Sequence, residues 1–418
     1  MIETKQNSRI PDGWEVKPLN QVLQLFGRIG FRGYNVTDLV QEGKGAITLS
    51  PSNIEDGIVT FNKCTYLSWE KYEESPEIKV EQGDILLVKT GSTYGKIGYV
   101  ETLPWPSTIN PQYVVLKKFK CNSRVLAYLL EQKEFQDQIE SITSGGAIPT
   151  MSQAKILTCT VTLPKDDKEQ QHIATALSDV DELIAMLKKL IEKKRNIKQG
   201  AMQELLSGKR RLPGFTEEWV EKQVGRIGYT YNGLTGKSKE DFGTGDSFYI
   251  TFLNVLTNPV VDTSIFDRIN ILSNEHQNKA LQGDIFFNTS SETPEEVGFC
   301  SYLDRNIPNL YLNSFCFGFR ITDLEVDGHF LAYFWRSSKG RKIMTMLAQG
   351  STRFNLSKTL FKASCILIPP TKKEQSAIVK VLSDIDEEIS MLETRLSKYQ
   401  FLKQGMMQQL LTGKIRLI

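Results

Sequence analysis

Two stretches of this chain carry apolar residues at alternating gaps of four and three. Ile173, Leu177, Val180, Ile184, Leu187 and Ile191 form the first series, and Ile378, Leu382, Ile385, Ile389, Leu392 and Leu396 repeat its spacing. A mean period of 3.5 residues is the seam of a coiled coil, so the pattern predicts two long helices that pair through these positions. Each stretch opens on a helix-start signal, Pro164 then Asp166-x-x-Glu169, and Pro370 then Thr371-x-x-Glu374. Gly208 and Gly413 are suitable C-terminal stops. Each helix should run about 40 residues, or ~60 Å. A domain of ~150 residues is only about 35 Å across, so packing of each stripe on its own neighbouring domain is the weaker alternative. The helices are better mates for each other.

The two stripes belong to an internal duplication. Residues Lys168–Leu212 align without a gap on Lys373–Leu417, with 24 of the 45 pairs identical. Trp14 matches Trp219 and Tyr128 matches Tyr333 at the same offset, and QGDI recurs at Gln82–Ile85 and Gln282–Ile285. The expected layout is therefore a first globular domain over 1–165, a long helix over 166–208, a second domain over 209–369 and a second helix over 370–418. A helix that carries the chain away needs a second that brings it back. The pair should be antiparallel, with a domain at each end, a pseudo-twofold relation, and the final GKIRLI beside the first domain. Short β-like runs such as Asp84–Val88 and Asp284–Phe287 mix with helical stretches near Arg124–Ile142 and Gly328–Leu347, which makes the fold class α+β.

Composition narrows the function mainly by exclusion. No apolar run approaches the ~20 residues of a membrane span, and the polar start MIETKQNSRIPDGW lacks a signal-peptide core. We therefore expect a cytoplasmic protein with no membrane partner. Six cysteines without a C-x-x-C pair and three dispersed histidines signal neither a zinc site nor a disulfide framework. A net charge of +2 means that any nucleic-acid binding must rest on local patches.

Three motifs suggest chemistry without sustaining it. KTGSTYGKIG (Lys89–Gly98) has Gly91 and Gly95 too close for a phosphate loop, with Ile97 where Ser or Thr is needed. NPQY (Asn110–Tyr113) is like the tetrapeptide with which adenine methyltransferases hold a flipped base, but no glycine-rich methyl-donor turn precedes it. The second half has LNSF (Leu312–Phe315) at the comparable place. In PDGWEVK (Pro11–Lys17), Asp12 and Glu15 lie too close for a nuclease metal pair.

What remains is a set of loops rich in glycine, hydroxyls, amides and cations, groups that bind phosphates and read base edges. In the first half the candidates are Arg28, Arg32 and Tyr34 (Gly27–Asn35), Lys89, Thr90, Ser92, Tyr94 and Lys96 (Lys89–Lys96), and Gly146 (Ser144–Lys155). In the second they are Tyr231 and Lys237 (Tyr229–Glu240), Asn288 and Ser290 (Asn288–Glu292), and Ser351, Arg353 and Asn355 (Gln349–Lys358). The far half of the first helix is basic through Lys188, Lys189, Lys193, Lys194, Arg195 and Lys198. Those cations suit a phosphate track and a helix C-terminus equally well.

Two unlike domains, each followed by a long helix that begins KEQxxI (Lys168–Ile173, Lys373–Ile378) and ends KQGxMQxLLxGK, resemble the specificity subunit of type I restriction-modification systems. The QGDI turns and a GxIPxxS-like turn around Ala147–Ser152 support the likeness, although the second half has STRFNLS (Ser351–Ser357) instead. The resemblance implies two target recognition domains that read the parts of a split, asymmetric sequence in double-stranded DNA. It further implies helices that act as ruler and docking surface for two methyltransferase subunits, with nuclease-translocase subunits completing the complex. Methyl donor and ATP then belong to the partners, so no catalytic residue, metal or cofactor is expected in this chain. The competing readings are an adenine methyltransferase with fused recognition domains, resting on NPQY, and a coiled-coil scaffold without DNA specificity.

Overall fold

The computed structural model describes residues 10–144 and 149–418. It falls into two compact units, Met1–Leu187 with Arg395–Ile418, and Lys188–Thr394. Each unit thus combines one globular segment with part of both long helices, Asp167–Leu205 and Lys372–Leu410.

In the first unit Trp14–Pro18 pairs antiparallel with Thr160–Pro164, tying together the two ends of the globular segment. Between them runs a six-stranded sheet in the order Gln24–Gly27, Tyr113–Lys117, Ile85–Val88, Ile97–Tyr99, Ile58–Val59, Ile54–Glu55. Strand alternation explains why Ile85–Val88 is apolar throughout. Ile85, Leu87, Val114 and Leu116 face a core with Leu126, Tyr128 and Phe135 from the helices Ser123–Glu131 and Lys133–Ile142. Leu86, Val88 and Val115 face a second core with Ile47, Leu49 and Ile109 of a five-stranded sheet.

The second unit repeats this plan with different strands. Val220–Gln223 pairs with Cys365–Ile368, and a four-stranded sheet runs Gly228–Asn232, Cys316–Ile321, Ile285–Asn288, Cys300–Tyr302. Ile285, Phe287, Phe317 and Phe319 pack on Trp335 and Phe361, while Phe286 and Cys316 face the opposite core. The helices keep register between units: Ser123–Glu131 answers to Gly328–Arg336, Lys133–Ile142 to Ser338–Leu347, and Gln153–Thr158 to Lys358–Ala363, each pair equal in length. The duplication legible in the long helices therefore extends into the domains.

The KEQ motifs owe their chemistry to contacts across the fold. In the first unit Glu169, fully buried, takes the guanidinium of Arg416 in a forked ion pair, with Nη2 to Oε2 at 2.6 Å. In the second, Glu374 takes Arg211 the same way at 2.6 and 2.7 Å. The neighbouring Gln170 accepts from Asn122 N at 2.7 Å and donates to Pro164 O, and Gln375 accepts from Asp327 N at 2.8 Å and donates to Pro369 O. Each glutamine thus bolts the start of a long helix to the first turn of a domain helix. Further along, Asp181 pairs with Lys403 at 2.6 Å and accepts from Tyr128 Oη at 2.6 Å. Asp386 pairs with Lys198 at 2.5 Å and accepts from Tyr333 Oη at 2.7 Å. Within each unit, rising numbers on one helix meet falling numbers on the other, so the helices are antiparallel. The tail closes onto the first unit, where Leu417 O meets His172 Nδ1 at 2.9 Å.

The apolar stripes divide their work. Ile173 and Leu177 join the first core with Leu410 and Leu411, and Ile378 and Leu382 join the second with Leu205 and Leu206. The sequence pattern assigns all these positions to helix pairing, whereas the opening turns of each helix also complete a domain core. Val180, Leu187, Ile191 and Ile389 are buried, and Ile184, Ile385, Leu392 and Leu396 are half-buried. Leu187→Asp should therefore lower stability by at least about 2 kcal/mol through an unpaired buried charge. A urea midpoint unchanged from wild type would contradict that burial.

Candidate nucleic-acid interface

Three of the loops selected by composition meet at one end of the first unit's main sheet. Thr90 bridges to Thr150, their hydroxyls 2.9 Å apart, while Gly91 N donates to Pro149 O and Met151 N to Lys89 O, both at 3.0 Å. Lys89 N donates to Gln112 O at 2.8 Å, which draws the NPQY turn into the cluster. The strand ending at Gly27 lies against the helix Gln153–Thr158 so closely that a Cβ at Gly27 would come within 2.5 Å of Gln153 Nε2.

The second unit builds the equivalent cluster from other residues. Ser290 pairs with Asn355 and Ser291 with Phe354, and Asn355 pairs on its other side with Gln349. Thr289 N donates to Phe315 O at 3.0 Å, and Leu356 N donates to Thr289 O at 2.8 Å. Lys358 Nζ reaches Asn232 Oδ1 at 2.5 Å. Partial burial pulls both Lys89 and Lys358 below the usual lysine range. Cations so placed have shed some hydration in advance, which reduces the cost of meeting an anion.

The loop candidates separate into surface and interior groups. Ser92, Ser351, Arg353 and Asn355 are exposed, and Lys89, Thr90 and Tyr94 are half-buried within the clusters. Arg28, by contrast, is buried, with Nε and Nη2 donating to Ile109 O and Nη2 to Thr108 Oγ1. Tyr231 Oη is committed to Asp284 at 2.5 Å, and Lys237 Nζ to Asn270 O and Glu275, both at 2.6 Å. Asn288 and Ser290 are buried, with Asn288 Nδ2 on Glu296 O at 2.9 Å. Arg28, Tyr231, Lys237, Asn288 and Ser290, which the sequence reading offers as DNA contacts, thus lie within the loops' own packing rather than at the surface. Lys96 also turns inward, Nζ on Ile54 O at 2.7 Å. Arg32 lies 3.6 Å from Glu77, and Tyr34 Oη accepts from Thr48 at 3.1 Å. Gly146 lies outside the described residues.

Sequence reasoning passed over Gln112, Gln153, Asn232, Phe315 and Lys358, all of which belong to these clusters. The usable signal was an asparagine shortly before the central strand in both halves, Asn110 and Asn313, marking the same turn. Among the described residues no group of three or more His, Cys, Asp or Glu is placed to hold a metal ion. No helix of the described residues is long and apolar enough to cross a membrane.

Comparison with known proteins agrees with the repeat. The family model described as "Type I restriction modification DNA specificity domain" matches twice, over residues 11–194 and 216–398. The chain is 25% identical to the putative type I restriction enzyme MjaX specificity subunit of Methanocaldococcus jannaschii, over 97% of this chain and 95% of the relative. It is 26% identical to the MjaVIII specificity subunit of the same organism, over 98% and 94%. The EcoKI specificity subunit of Escherichia coli is 20% identical, over 89% and 82%. Among solved structures, the type I restriction-modification S subunit from M. genitalium superposes with a TM-score of 0.61 at 16% identity, covering 97% of this chain and 98% of the other. A chain from a study of complex assembly and conformational transition of the type I system gives 0.54 at 15% identity, covering 97% and 100%.

Proposed function

The chain belongs to the type I restriction-modification DNA specificity family, and from that premise we propose that its two units read the two halves of a split, asymmetric sequence in double-stranded DNA. The observation that carries this reading is a contrast within the repeat. Helices, ion pairs and turn positions recur, while the chemistry at the loop clusters changes, from Lys89 and Gln112 to Thr289 and Phe315. A repeated frame with different reading groups suits a target made of two unlike parts. The proposed contacts are Lys89, Thr90, Ser92 and Tyr94 in the first unit and Ser351, Arg353 and Asn355 in the second.

The long helices repeat their sequence because they serve two equivalent partners, the methyltransferase subunits, and their length sets the spacing of the half-sites. Half-sites one DNA turn apart lie ~34 Å centre to centre. Nuclease-translocase subunits complete the assembly in the cytoplasm, and the chemistry, with its methyl donor and ATP, resides in the partners. The fused-methyltransferase alternative loses its support at Asn110. Asn110 is 9% exposed, and its side chain accepts from Gln112 N and donates to Gln112 Oε1, both at 3.0 Å, which supports reading NPQY as a turn rather than a base pocket.

Footprinting and methylation mapping of the complex assembled with methyltransferase subunits should reveal one bipartite sequence. Protection of a continuous sequence, or of none, would sink the proposal. Arg353→Ala should weaken binding and reduce the slope of log affinity against log salt by about one, as loss of a single phosphate contact requires. An unaltered salt slope would remove Arg353 from the interface.

A further inference from the structure

The two units present one residue each at the same address, and those residues have opposite chemistry. In the first, Gln112 N donates to Asn110 Oδ1 at 3.0 Å and Tyr113 N to Asn110 O at 3.2 Å. In the second, Phe315 N donates to Asn313 Oδ1 at 2.8 Å and Cys316 N to Asn313 O at 3.1 Å. Both turns lead directly into the central strand, Tyr113–Lys117 or Cys316–Ile321, and both carbonyls are fixed by the neighbouring loop, Gln112 by Lys89 N and Phe315 by Thr289 N. Asparagine side chains close such turns and hold the residue two places on in a set direction.

We propose that Gln112 and Phe315 are the equivalent specificity-determining positions of the two units, the first reading adenine by hydrogen bonds and the second a thymine methyl by apolar contact. This rests on the reading of a bipartite DNA target given above. Gln112 is preset for the task. Its Oε1 receives Asn110 Nδ2 at 3.0 Å, which orients the amide and leaves a second lone pair for adenine N6–H and Nε2 for adenine N7. Phe315 is 58% exposed and stands outside the hydrophobic clusters of its unit, its backbone bonded to Thr289 and Asn313. A large apolar ring held by backbone bonds at a polar surface contributes nothing to a core. It suits the C5 methyl that distinguishes thymine in the major groove.

The test uses the complex with its methyltransferase subunits and target duplexes in which each dT is replaced in turn by dU, which lacks only that methyl. The relevant half-site is the one that changes when segment 209–369 is exchanged for that of a relative. In the wild type, dU at one position there should slow methylation about fourfold, the worth of one buried methyl group. Phe315→Ala should be insensitive to the same replacement, and Phe315→Leu should retain part of the sensitivity. In the other half-site, 7-deazaadenine at one position should slow the wild type about tenfold and leave Gln112→Leu unaffected. Identical analogue profiles for wild type and variants, or half-sites lacking the required dT or dA, overturn the assignment. If the wild-type complex protects no bipartite sequence at all, the underlying reading fails instead.

Discussion

Glu374→Ala is expected to destabilise the second unit by about 3–5 kcal/mol, the usual consequence of removing one partner from a buried ion pair. The Glu374 side chain is 2% exposed and takes the Arg211 fork through both oxygens, with Trp219 Nε1 donating to Oε1 at 3.3 Å. Deleting the carboxylate leaves a guanidinium against Trp219 with its two donors unmet. Arg211 retains partial exposure and can draw water, which places the loss toward the lower end of that range. Arg211→Ala should cost more, since the stranded charge is then the fully enclosed one. Glu169→Ala should produce the same loss in the first unit, where Arg416 is the partner. Hydrogen exchange across the two helix starts separates the effects, because each variant should release protection only in its own unit. A loss below about 1 kcal/mol in either would mean that the pair behaves like a solvated surface bridge.

How much of this was legible beforehand depends on the range of the interactions involved. The long helices were, because a 3.5-residue stripe is a local signal and each helix has its own start and stop. Gly208 and Gly413 do adopt the left-handed conformation that such stops require, with φ of 73° and 68°. The KEQ motif was legible only as a helix start, since the arginines that give its glutamates their purpose lie 163 and 247 residues away. Composition selects loops that do come together in space, but it does not sort their cations. A buried arginine satisfied by carbonyls and a free one at a DNA surface have the same letter, and Arg28 finds its acceptors 81 residues along the chain. Phe315 gives no signal of this kind, because the exposure of an isolated phenylalanine cannot be read from its letter. Strand order escaped altogether, as it depends on pairings between distant segments that leave no periodic trace.

Exchange of segment 209–369 for its counterpart from another family member is expected to replace one half of the methylated sequence and leave the other half intact. The first unit takes all its described strands and its candidate loops from residues before 165, so the graft leaves them unchanged. The graft does have to meet the helices on their own terms. It must supply an arginine where Arg211 meets Glu374, the acceptor that Asp327 offers Ser376, and a tyrosine where Tyr333 meets Asp386. A graft that keeps those groups should preserve the anchoring of the second long helix and, on the proposed reading, the spacing of the half-sites. Methylation of the original sequence should then fall by a factor of about a thousand or more, the lower bound of the usual gap between specific and non-specific binding. The new motif should retain the first half-site letter for letter. Single-molecule sequencing of DNA methylated by the chimeric complex reads both results at once. A motif unchanged in both halves, or changed in both, contradicts independent reading, the first because the segment then carries no specificity and the second because the units do not read separately.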